Sequence, residues 1–202
     1  MYGVLRVIDS AKQLPSARIG NPIYRKMLLL RFSSTIDTLS VNGNTIHRFA
    51  TDGVLDFDGL LDNFQAFMRE HGVRLLKSAK SERPLEISGQ YLLLSYLSAA
   101  LNSIGGQVTI ESVSSAGEID ILAFYQGYRF IIETKIWYGI AKYEEGKTQL
   151  LAYLRAAGLS KGYLVVFDEK LHDNLLHNEK GITFELNIEG HLIRVYLIGV
   201  TV

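Results

Sequence analysis

The chain has 202 residues, a formal net charge of zero and 48% apolar residues, which is enough to bury a core and too apolar for a disordered chain. The balanced charge lends no general support to a nucleic-acid surface, although a local basic patch can sit inside a neutral total. Without a single cysteine, disulfides and thiolate metal sites are excluded, and the compatible compartment is a reducing, cytoplasmic one.

In chain order, "MYGVLRVIDSAKQLPSARIG" lacks a basic end followed by an apolar run and does not read as a signal peptide. "NPIYRKMLLLRF" (21–32) reads as a short helix, and Asn42-Gly43 as the tight turn of a small hairpin. A longer helix is expected within 52–72, capped by Asp56 or Asp58. There Leu60, Leu61, Phe64, Phe67 and Met68 recur at helical spacing, and Gly72 is the expected stop. His47 and His71 are isolated and read as structural, because a metal site needs several convergent ligands. The polar stretch "LKSAKSERP" (76–84) is the boundary signal. It divides a small, mainly helical region, 1–78, from a second domain, 79–202.

Beyond it, Pro84 opens a helix that runs to Gly105-Gly106. "QYLLLSYLSAAL" within it is too short and too polar to span a membrane. Three strands follow, "QVTIESV", "GEIDILAFY" and "YRFIIETKIW", then a helix, "YEEGKTQLLAYLRAAG", ended by Gly158. "GYLVVF" is apolar throughout and suits the centre of a sheet. "GITFELNI" and "HLIRVYLIGVTV" form a last hairpin. The order predicts an α/β fold with a mixed central sheet flanked by helices.

The second and third strands carry Glu118, Asp120, Glu133 and Lys135 where apolar residues are expected. A two-residue turn at Gln126-Gly127 would set Asp120 opposite Glu133 and Glu118 opposite Lys135, all on one face. Two opposed carboxylates repel by up to about 1 kcal/mol when exposed, so Asp120→Asn is expected to stabilise the metal-free fold. A divalent cation reverses the sign, and hard oxygen ligands suit Mg²⁺ or Mn²⁺. The alternative is a plain Glu118–Lys135 ion pair, and a one-residue slip in the turn would remove the carboxylate opposition.

"GEIDIL…FIIETK" resembles the signature of the PD-(D/E)XK nuclease superfamily. Gln149, Leu150, Tyr153, Leu154, Gly162, Tyr163 and Leu164 resemble the branch found at the C-terminus of certain AAA-type ATPases. "IGNPIYRKMLL" and "DGVLDFDGLLDNFQAFMRE" are similar to the segment that joins the ATPase module to the nuclease-like domain. The resemblance implies a restriction-endonuclease-like core and Mg²⁺- or Mn²⁺-dependent phosphodiester hydrolysis of DNA or RNA. It implies metal ligation by Asp120, Glu133 and the backbone carbonyl of Thr134, with Glu86 of the first helix as a further ligand or a plain first-turn residue. Lys135 would stand beside the attacking water or the scissile phosphate, and Gln149 would complete the catalytic set. Gln90, one turn after Glu86, and Lys142 and Tyr143 would face substrate. Trp137, Tyr138 and Tyr143 either stack on bases or pack. There is no G-x-x-x-x-G-K-[ST] phosphate loop, so ATP hydrolysis is not expected. The ATPase would be a partner or a missing N-terminal module, and self-association is open. The competing reading is a non-catalytic nuclease-fold module for partner binding or assembly with an ATPase.

Overall fold

The computed structural model describes residues 5–8, 16–19, 47–77 and 85–200. The expected helix at 21–32, the hairpin at Asn42-Gly43 and most of the stretch 76–84 lie outside these residues. Strands β1 (Leu5–Ile8) and β2 (Ser16–Ile19) pair antiparallel. After a 3₁₀ turn at His47–Phe49, β3 (Ala50–Thr51) and β4 (Val54–Leu55) form a minimal ladder.

Helix α1 spans Phe57–Lys77. Asp56 caps it, its Oδ1 accepting the Gly59 N–H at 2.8 Å, which satisfies one of the helix's orphan donors. Gly72 does not stop it. The helix runs on because Gly72 is buried on its packed side, where an added Cβ would meet Met68 Cε at 2.9 Å. Helix α2 (Leu85–Ser103) is buried on all sides from Tyr91 to Leu97. An all-round apolar surface of this kind belongs to a helix enclosed by its neighbours, here α1 and the sheet.

The remaining elements build one mixed sheet: β5 (Gln107–Ser114), β6 (Gly117–Tyr125), β7 (Tyr128–Ile136), β8 (Lys161–Asp168), β9 (Thr183–Ile188) and β10 (His191–Gly199). Their order is β5-β6-β7-β8-β10-β9. Only β7–β8 and β8–β10 are parallel. β8 is central and buried on both faces, as its continuous apolar run predicts. Helix α3 (Ile140–Ala157) crosses between β7 and β8, and α4 (Leu175–Lys180) precedes β9.

Two apolar clusters fill the two sides of the sheet. One joins α1 and α2 to Ile121, Ala123, Ile132, Tyr163, Val165 and Phe167. The other joins α3 to Leu122, Ile131, Leu164, Val166 and Val195. Polar contacts fasten α1 to the sheet: Asp58 takes Lys161 Nζ at 2.6 Å and the Tyr163 hydroxyl at 2.9 Å. Gln65 Nε2 donates to the Ile182 and Leu197 carbonyls, each at 3.0 Å. Helix α1, on the N-terminal side of the polar stretch, thus shares one core with α2 and the sheet on its C-terminal side. Among the described residues no helix is long and apolar enough to cross a membrane.

Candidate active site

The turn between β6 and β7 forms at Gln126 and Gly127, both with positive φ (47° and 82°), as a tight hairpin turn matched to strand twist requires. Pairing runs from Tyr125↔Tyr128 to Ile121↔Ile132, the register that the two-residue turn predicts. The next rung would set Asp120 against Glu133. There the Asp120 carboxylate takes over from the backbone: its Oδ2 accepts the Thr134 N–H at 2.9 Å and the Thr134 hydroxyl at 2.8 Å. β7 meanwhile continues against β8 from Ile132↔Tyr163 to Ile136↔Phe167. A side chain from one strand therefore clasps the backbone of its neighbour at the point where the hairpin ladder ends.

Glu133 and Lys135 point toward α3, since their rung partners Leu164 and Val166 belong to the α3-side cluster. Glu133 is 2% exposed and Lys135 11%, with Lys135 Nζ donating to Glu133 Oε1 at 2.6 Å. The β6–β7 ladder ends at Ile121↔Ile132, before the Glu118–Lys135 rung, and the lysine takes the carboxylate two residues back on its own strand. Burying a charge is tolerable when it is paired and hydrogen-bonded, and here the pairing is local.

Helix α3 closes the site with Tyr153. Its hydroxyl donates to the Glu118 carbonyl at 2.7 Å. Its pKa is pushed up to about 12, first by burial and then by the negative charge of Glu133 and Asp120, with Lys135 pulling the other way. The phenol thus sits within the field of all four charges. Gln149 lies one helical turn before Tyr153, on the same face, and its Oε1 is buried with no hydrogen-bond partner among the described residues. A buried orphan acceptor of this kind calls for an explanation.

The other expected residues fall elsewhere. Tyr143 is buried at 3% exposure in the α3-side core, with Lys147 Nζ 4.9 Å above its ring. Its ring is a packing element and not a stacking platform, because no face is open to a base. Burial drives its hydroxyl pKa upward, Glu144 adding to the effect. Lys142 is ion-paired with Glu145 at 2.7 Å. Of Trp137, Tyr138 and Tyr143, the exposed ring is Tyr138, at 72%. Gln90 is half-buried on α2, whose core lies on the opposite face of the sheet from Glu133 and Lys135. The side chain of Glu86 lies outside the described residues, though its backbone belongs to α2. Sequence reasoning used Tyr153 only as a pattern position and passed over Gly146 and Lys147. The available signal was the spacing of Tyr153, four residues after Gln149.

Among the described residues, no three His, Cys, Asp or Glu side chains gather as a metal site. Two carboxylates would hold a cation only with backbone carbonyl, water and substrate oxygens completing its shell. That donor set is one that Mg²⁺ accepts, since it keeps several waters and uses one or two carboxylates.

No family model and no curated protein matches the chain. Among solved structures it is similar to a type III CRISPR defence DNA nuclease activated by cyclic oligoadenylate, with 16% identity, 82% of this chain and 22% of that one covered, and a TM-score of 0.34. The chain spans about a fifth of that protein's length. The likeness is too slight to carry a function by itself.

Proposed function

We propose that this chain is a nuclease-like domain of the PD-(D/E)XK type that hydrolyses phosphodiester bonds in DNA or RNA with Mg²⁺ or Mn²⁺. The observation that supports the reading is the buried Glu133–Lys135 pair on the α3 side, with the Asp120 carboxylate on neighbouring Thr134 and Tyr153 within the field of Asp120, Glu133 and Lys135. A hairpin under selection for packing alone would fill these positions with apolar residues, as β8 does on the adjacent strand.

Asp120 and Glu133 would hold the cation, with the Thr134 carbonyl as a third oxygen. Asp120 commits Oδ2 to Thr134, so the ligand atom it offers is Oδ1. When bound, the cation lowers the pKa of its water and offsets charge on phosphate oxygens. Lys135 holds a proton on Nζ and donates hydrogen bonds toward the developing oxyanion, while Glu133 orients it. Tyr153 stays neutral across the physiological range and fixes the β6 backbone through the Glu118 carbonyl. The ATPase association, as partner or as further module, is part of the same proposal.

The test is cleavage of labelled single-stranded DNA, duplex DNA and RNA with Mg²⁺, Mn²⁺ or chelator. Cutting of at least one substrate with metal and none with chelator is expected. Intact substrate in every metal condition, an ATPase partner included, would replace this reading with that of a binding module.

A further inference from the structure

Gly146 occupies the middle of α3, where glycine is the poorest ordinary helix former, and its backbone is plain helix. It is buried in the stripe formed by Tyr143, Leu150, Tyr153 and Leu154. A Cβ added there would lie 2.8 Å from Lys135 Cγ, 3.4 Å from Lys135 Cε and 3.1 Å from Leu164 Cδ1. The closest of these is a distance that real Cβ atoms do not adopt. The atom met is the root of the lysine stem, so the lysine cannot yield by bending its tip. Clearing Cγ means changing the first side-chain rotamer, which carries the ammonium away from Glu133 Oε1, 2.6 Å from it here.

We propose that Gly146 is a positioning residue: the Cβ it lacks is the slot in which the Lys135 stem lies, and the slot fixes the ammonium against Glu133. The catalytic consequence rests on the nuclease reading, while the slot itself does not. The competing explanation is close packing of α3 on the sheet through Leu164, which stands across from Glu133 in the β7–β8 register. That contact does not involve the lysine.

A double-mutant cycle separates the two, with Gly146→Ala made in the Lys135 chain and in the Lys135→Ala chain. The expected result is a lowered Tm in the first background and an unchanged or raised Tm in the second, where Cγ is gone and alanine favours the helix. If Gly146→Ala fails to fold alone, folding of the double variant is the supporting result. An equal loss in both backgrounds, failure of both to fold, or no change in the first overturns the proposal. In the cleavage assay, Gly146→Ala should lower kcat on the order of 10²-fold, as expected for a misplaced reacting group, with KM and calorimetric Mn²⁺ affinity retained. In the Lys135→Ala background it should cost nothing further, and an additive loss there overturns the positioning role. If the wild-type chain cuts nothing, the nuclease reading fails while the Tm cycle still decides the slot.

Discussion

Asp120→Ala should weaken the metal-free fold, although two opposed carboxylates taken alone argue the reverse. Relief of repulsion is worth at most about 1 kcal/mol for an exposed cross-strand pair, and here Lys135 already compensates Glu133 at 2.6 Å. Against it stands the clasp on Thr134, made of two hydrogen bonds at 2.9 and 2.8 Å. A hydrogen bond to a charged group contributes about 1.5–3 kcal/mol, and a buried donor left unpaired costs about 1–3 kcal/mol. Thr134 is buried, so water does not replace the lost acceptor. The balance is a loss of about 2–3 kcal/mol, which lowers the Tm of a chain this size by roughly 5–10 °C. Asp120→Asn keeps one acceptor oxygen and should lose about half of that. Thermal melts by circular dichroism with chelator present make the measurement. An unchanged or raised Tm in Asp120→Ala would refute the clasp and restore repulsion as the dominant effect at this position.

Lys135→Ala should reduce cleavage on the order of 10²–10³-fold while calorimetric Mn²⁺ affinity stays near wild type; loss of metal binding instead would make the lysine a structural part of the cation site. Tyr153 has its folded-state pKa raised from 10.0 to about 12, so the stability it contributes is complete below about pH 10 and is lost as pH rises toward 12. Ultraviolet titration of tyrosinate, wild type against Tyr153→Phe, should show one late ionisation missing, and Glu133→Gln should move that ionisation to lower pH. Asp58→Ala removes the partner of both Lys161 and the buried Tyr163 hydroxyl and should cost about 2–4 kcal/mol, read by urea unfolding; a change within about 0.5 kcal/mol would mean that apolar packing alone holds α1 to the sheet.

Much of the sheet was legible because its signals are local. Gln126-Gly127 specifies a two-residue turn, and that turn specifies the register from Tyr125 to Ile132. β8 announced its central place by an unbroken apolar run, and Gly158 ends α3 in the left-handed conformation at φ 66° as a C-terminal glycine should. What escaped depends on which strand pairs with which. The insertion of β10 between β8 and β9 leaves no mark in a hairpin pattern. The Asp120 clasp arises because β7 leaves β6 for β8, and that exchange also returns Lys135 to Glu133. Tyr143 looked like a surface aromatic because it stands among Lys142, Glu144 and Glu145. Its helical phase with Leu150 and Leu154 places it in the core. α4 is a single short helix capped by Asn174, whose Oδ1 accepts from the Leu176 and His177 amides, and it carries too few residues for periodicity to reveal.

A cation held between Asp120 and Glu133 can be sought without any assumption about substrate. Mn²⁺ is titrated by calorimetry into the wild-type chain and into Glu133→Gln, a variant that leaves the Asp120–Thr134 clasp in place and whose folded state is checked by circular dichroism, because it removes the charge that Lys135 pairs with. One site per chain in the wild type and a loss of binding in Glu133→Gln are expected. Equal binding by both chains, or none by the wild type, would contradict the assignment of these carboxylates as a metal centre.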